Sequence, residues 1–238
     1  MSRVVPLAPE PGAAVDLEGE PLREWLAARY ALDGDRWLRL ELVTGLGGQI
    51  TGPSGTSDDL TGGIDRTLIG VLRRSADVVL VGAGSARAER LALPSRCALA
   101  VASLSGGLRA EHLPEPRDGR RALVLCPEPV AAQQQELLAG RAEVVAVPGA
   151  SASRPAPLLD ALADRGLGRV VCEGGGGLAT ALLAASAVDE FDQTIAPVLS
   201  APGAPLLPAP LPAVSAALVG LLRDGTDRLY ARWRPASR

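Results

Sequence analysis

Twice in this chain an apolar stretch of strand character runs straight into clustered glycines. The first is Asp77-Val78-Val79-Leu80-Val81-Gly82-Ala83-Gly84, followed by Ser85-Ala86-Arg87-Ala88-Glu89. The second is Arg169-Val170-Val171-Cys172-Glu173, then Gly174-Gly175-Gly176-Gly177, then Leu178 and a helical run. Short unbroken apolar strands that feed helices belong to parallel sheets covered on both faces. Glycine lets the backbone take positive φ and come close to a ligand, and a helix N-terminus presents free amides to an anion. Four glycines at a helix start are entropically costly. A pyrophosphate seated there accounts for the cost, and so does a crowded packing turn. Neither segment is a GxGxxG fingerprint. Two such turns at strand ends of one sheet fit a dinucleotide in a shared crevice.

The remaining pattern agrees with an α/β chain. Helical spacing appears over 21–32, 63–76, 130–138, 156–164 and 178–187. Strand character appears over 37–44, 77–84, 97–103, 121–127, 143–149, 168–177 and 189–199. Residues 37–44 alternate apolar and polar, as a strand does. The first 20 residues read as a loose start, and 201–212 as a proline-rich loop. Residues 216–234 read as two strands joined at Asp224-Gly225, a favoured hairpin dipeptide. The expected architecture is a largely parallel central sheet with flanking helices and a C-terminal antiparallel hairpin. Residues 1–35 form an N-terminal arm and helix, and 36–238 a single domain.

Composition narrows the chemistry. All 24 basic residues are Arg, which rules out Schiff-base lysine chemistry and a Walker-type phosphate lysine. Arginine still binds phosphate through its planar fork. The net charge of −3 gives no general attraction to nucleic acid or to an anionic membrane. His112 is the one histidine and lies in a polar, proline-bearing stretch, so no metal site or Ser-His-Asp triad is expected. Cys97, Cys126 and Cys172 sit in or beside apolar runs, as free buried thiols of a cytoplasmic protein do. No signal peptide is expected over Met1 to Pro11, and no apolar run approaches the ~20 residues that cross a bilayer.

The run from Arg73 to Glu89, with Ala76-Asp77 and Leu80-Val81-Gly82-Ala83-Gly84-Ser85, resembles the LR-x-x-AD-x-x-LVGAGT-x-R-A-E signature of one family. That family is the C-terminal reductase domain of bifunctional riboflavin-biosynthesis enzymes. Cys172-Glu173-Gly174-Gly175, Val188-Asp189-Glu190 and Thr194 to Pro197 are similar to a second block of the same family. Thr44 to Gly48 occupies the place of its ASLDG element, and Ser57 to Thr61 that of its GxS-x-x-LS element. The resemblance runs from about Arg36 to Arg234.

The resemblance implies a dihydrofolate-reductase-like fold and a homodimer, whose apolar edge residues would include Leu218, Leu221 and Leu222. It implies NADPH as cofactor, held by Thr44, Gly82, Ala83, Gly84, Ser85, Glu89, Ser103, Gly174, Gly175, Gly176, Gly177 and Leu178. Ser57, Arg73 and Glu173 would face a heterocyclic substrate; Arg66, seven residues before Arg73, lies by helix geometry on nearly the same face and is placed to assist. The implied reaction is reduction of 5-amino-6-(5-phosphoribosylamino)uracil or a related ribosylamino-pyrimidine. Two alternatives stay open: a same-fold reductase of a pteridine or other heterocycle, and an NADPH-binding protein without turnover. The sequence departs from the family at Gly45 and Gly47, which replace its Ser and Asp, and at Gly176-Gly177, which replace its Pro-Thr. No H-x-E or P-C-x-x-C occurs, so the zinc deaminase of the bifunctional enzymes is not expected here.

Overall fold

The computed structural model describes residues 2–9, 11–151, 153–199 and 203–236. In chain order the elements are β1 Ser2–Ala8, β2 Val15–Leu17, α1 Gly19–Arg29, β3 Trp37–Thr44, α2 Asp65–Ser75, β4 Val78–Gly82 and α3 Ala83–Ala88. There follow β5 Ala98–Ala102, β6 Ala122–Pro127, α4 Glu128–Leu138, β7 Ala142–Val147, α5 Ala156–Ala163 and β8 Arg169–Cys172. The chain ends with α6 Gly176–Ala184, β9 Glu190–Ile195, β10 Ala216–Asp224 and β11 Leu229–Pro235.

All these strands join one sheet in the order β2-β1-β10-β11-β9-β3-β8-β4-β5-β6-β7. From β9 to β7 every neighbouring pair is parallel, whereas β11 meets β9 antiparallel. The chain leaves β3, steps outward through β4 to β7, and returns to insert β8 between β3 and β4. That insertion is a topological switch point, the place where open parallel sheets leave a crevice at their carboxyl ends. One face packs Leu38, Leu40, Leu80 and Ala100 against Leu158, Leu162 of α5 and Leu182 of α6. The other packs Leu22 and Leu26 of α1 and Leu68 and Leu72 of α2 near β3, and Leu138 of α4 over β5 and β6. The three cysteines are buried and free, and burial pushes the Cys172 thiol up to about 12.

Two expectations need correction. The start of the chain is not loose: β1 pairs antiparallel with β10 and β2 with β1. Its prolines hide the strand pattern, and Pro6 is tolerated because β2 pairs only with Ser2, Arg3 and Val4. In consequence β10 is not a free edge. Pro6 opposes Leu222 and Ala8 opposes Leu221, leaving Leu218 as the exposed one of the three leucines. The hairpin edge that suggested a dimer is therefore covered by the chain's own β1.

The strand expected over 37–44 is β3, and all eight of its residues are buried, because α1 and α2 cover its polar side. Arg39 lies there fully buried, 2.7 Å from Glu190 and 2.9 Å from Asp192, and its Nη2 also donates to the Tyr30 carbonyl at 2.7 Å. Arg232 of β11 forks onto the same Glu190 at 2.8 and 3.0 Å. A buried cation is sustainable only with such partners.

The C-terminal hairpin is pinned by one carboxylate. Asp224, 3% exposed, accepts from Thr226 N and Oγ1, Arg228 N, Tyr230 OH and, across the sheet, Ile64 N at the head of α2. Burial alone would raise its pKa, but the hydrogen bonds from Thr226, Tyr230 and Ile64 win and hold it below the ordinary 3.8. A lowered folded pKa means that this stabilisation is full above the ordinary value and lost as pH falls through the folded one. Asp224→Ala is expected to lower unfolding free energy by about 3 kcal/mol at neutral pH. The deficit relative to the parent should shrink in acid, which urea unfolding at several pH values measures.

Candidate active site

A cleft of about 1180 Å³ opens at the carboxyl ends of β3, β4, β5 and β8. Ligand pockets usually span roughly 300–1,000 Å³, so there is room for more than one small molecule. The two glycine turns meet in its wall, where Gly82 N donates to the Gly174 carbonyl at 2.8 Å.

The glycines have different physical reasons. Gly174 and Gly175 have φ of +117° and +66°, and Gly175 is the N-cap of α6. A side chain on Gly174 would meet Leu42 at 3.0 Å, and one on Gly175 would meet Ser85 Oγ at 3.3 Å. Gly176 is a packing glycine, since a Cβ there would lie 2.8–2.9 Å from Leu206, Pro205 and Pro208. Gly177 has open space where its Cβ would be, and it lines the cleft. The first amides of α6, on Gly176, Gly177 and Leu178, have no partner within the helix. Thus two of the glycines answer to turn geometry, one to packing, and one leaves the helix N-terminus open to a ligand.

Ser57, Arg73, Glu173, Gly82, Ala83, Gly84, Ser85, Glu89, Gly174, Gly175, Gly176, Gly177 and Leu178 all line this cleft. Within it, Arg73 of α2 forks onto Glu173, with Nε and Nη2 donating at 2.6 and 2.5 Å. Ser57 Oγ donates to Glu89 at 2.9 Å, joining two residues expected on different ligands. Thr44 and Ser103 do not line the cleft. Both are buried: Thr44 Oγ1 accepts from Gln193 at 3.1 Å, and Ser103 Oγ donates to Gln134 at 3.3 Å. Each ends or follows a cleft strand, but its hydroxyl is spent on the packing beside it. Arg66 pairs with Asp58 at 3.1 Å in an exposed contact, which is weak and readily exchanged.

Sequence reading missed α3, because GAGSAR reads as a turn, and it missed Glu41, Arg87 and Ser105 of the cleft wall. The alternation of Arg39 and Glu41 was the available signal, had the strand been taken as central. The glycines at 45 and 47 also gain a reason. A Cβ on Gly47 would lie 2.8 Å from Gln49 Oε1, and one on Gly45 2.9 Å from the Val198 carbonyl. The buried Gln49 side chain occupies the space beside this turn. Among the described residues no cluster of three or more His, Cys, Asp or Glu forms a metal centre, and no helix is long and apolar enough to cross a membrane.

Sheet order and cleft position together define an α/β protein of the dihydrofolate-reductase-like class, with its ligand crevice at the switch point. More particularly, the chain belongs to the RibD C-terminal domain family, whose sequence profile matches residues 36–227. No curated protein sequence matches it. Among solved structures it is similar to a pyrimidine reductase-like protein of Corynebacterium diphtheriae, with 23% identity, TM-score 0.74, and coverage of 90% of this chain and 99% of that one. It is also similar to a diaminohydroxyphosphoribosylaminopyrimidine deaminase/5-amino-6-(5-phosphoribosylamino)uracil reductase of Thermotoga maritima. There identity is 19% and TM-score 0.66, with coverage of 84% of this chain and 57% of that one. The riboflavin biosynthesis reductase of Saccharomyces cerevisiae matches at 16% identity and TM-score 0.63, over 90% and 99%.

Proposed function

We propose that this protein is an NADPH-dependent reductase of a phosphoribosylamino-pyrimidine in riboflavin biosynthesis. The observation that carries the reading is the meeting of the two glycine turns at 2.8 Å in one cleft that also holds the Arg73–Glu173 pair. Family membership and the names of the structural neighbours support the reaction class. The open Cβ space at Gly177 and the unpaired amides of α6 suit a pyrophosphate. When bound, the cofactor would supply hydride, and the protein's task is alignment of the accepting carbon.

On this reading Gly82 to Ser85, Glu89 and Gly174 to Leu178 form the cofactor side, and Ser57, Arg73 and Glu173 the substrate side. Arg73 does not present a free fork: Glu173 takes two of its N–H groups. It therefore acts on substrate as half of an ion pair, and Arg66, held only by an exposed partner, is the more available cation for a phosphate. Arg73→Ala should raise the KM for the phosphorylated substrate about ten- to a hundredfold, the equivalent of ~1.5–3 kcal/mol. Cofactor affinity, measured by fluorescence titration, should change little. Loss of cofactor binding instead would move Arg73 to the other side of the cleft.

A further inference from the structure

Four acidic side chains line the cleft: Glu41, Asp58, Glu89 and Glu173. Three are engaged. Asp58 pairs with Arg66, Glu89 accepts from Ser57, and Glu173 is held by Arg73. Glu41 alone has no hydrogen bond or ion pair with any described residue, although it is only 5% exposed. Burying a carboxyl without a partner is costly, and a structural role would demand one. The turn that follows β3 carries Gly47, so no carboxylate is available from there.

We propose that Glu41 is the catalytic proton donor of the reaction, protonating the ribosyl ring oxygen as its bond to C1′ breaks. This rests on the function proposed above. The electron pair of the C1′–O bond goes to the ring oxygen, which takes the Glu41 proton and becomes a hydroxyl. The lone pair of the exocyclic nitrogen closes a C1′=N double bond. C1′ then accepts hydride from the reduced nicotinamide, and the π pair of the double bond returns to nitrogen. The net change is one hydride and one proton gained by substrate, two electrons lost by cofactor, and a Glu41 carboxylate that regains its proton from water.

The surroundings of Glu41 suit a donor. Burial pushes its pKa well above the ordinary carboxylate range, and the charges of Asp65 on α2, Glu173 after β8 and Asp192 on β9 push the same way. Arg73 opposes them, but it is already committed to Glu173. On β3, Glu41 stands opposite Asp192 of β9 in register, so its lateral neighbour offers no positive charge. A carboxyl so placed is biased toward its protonated form, the form a proton donor needs.

The test compares the parent protein with Glu41→Gln, which keeps size and neutrality. Infrared difference spectra should show a protonated carboxyl band at neutral pH that Glu41→Gln removes. With the phosphoribosylamino-pyrimidine and NADPH, kcat of the parent should fall as pH rises through the Glu41 pKa. Glu41→Gln should cut kcat about a hundredfold, remove that limb of the profile and leave cofactor affinity unchanged. Absence of the band, or an active parent whose kcat and pH profile survive in Glu41→Gln, overturns the assignment. A parent that binds cofactor but reduces no such pyrimidine overturns the functional reading and the donor role with it. Should Glu41→Gln fold poorly, the parent's band and pH profile decide by themselves.

Discussion

Gly177→Leu is expected to abolish cofactor binding while leaving the fold intact or firmer. The new Cβ meets no protein atom within 4 Å, and the position lies in the first turn of α6 at a backbone conformation open to any L-residue. Replacing glycine in a helix gains up to about 1 kcal/mol, so thermal stability should hold or rise. The side chain would nevertheless stand in the cleft beside the α6 amides. A pyrophosphate denied those amides forfeits charge-assisted hydrogen bonds worth roughly 1.5–3 kcal/mol each, so affinity should drop by at least ~100-fold. Isothermal titration with NADPH beside a thermal melt separates the two effects. Gly175→Leu would be a poorer test, because φ of +66° strains any side chain there regardless of ligand.

The largest loss of stability is expected at Arg39. It is fully buried and answers both Glu190 and Asp192, so Arg39→Leu would leave Arg232 as the remaining cation beside two interior carboxylates. Removing one partner of a buried ion pair costs about 3–5 kcal/mol, chiefly through the charge left behind. Chemical unfolding should show a midpoint shift of that size. A shift under about 1 kcal/mol would mean that the carboxylates take up protons or water at little cost.

These two residues also show where sequence and structure part. The glycine turns were legible because their chemistry is local: an apolar strand, then residues that permit positive φ and, after the second turn, a helix. Their meeting through Gly82 and Gly174 follows from parallel β4 and β8 being neighbours, which motif spacing suggested through the family resemblance. Arg39 and Glu41 were not legible, since a polar residue every second position reads as a solvent face. Only the sheet order, which buries β3 between β8 and β9 under α1 and α2, turns that face into an interior. Thr44 and Ser103 lie outside the cleft lining for a related reason. A residue at a strand's end is near the cleft, but which way its side chain points depends on its register with the next strand. The N-terminal strands were hidden because their ordering comes from β10, some two hundred residues away along the chain.

Turnover is tested by loss of reduced-nicotinamide absorbance when the purified protein meets NADPH and 5-amino-6-(5-phosphoribosylamino)uracil, with a pteridine panel run alongside. One NADPH should be oxidised per pyrimidine consumed, with the ribityl product formed and the pteridines untouched. NADPH binding without oxidation, or oxidation with a pteridine in place of the pyrimidine, would contradict the proposed function.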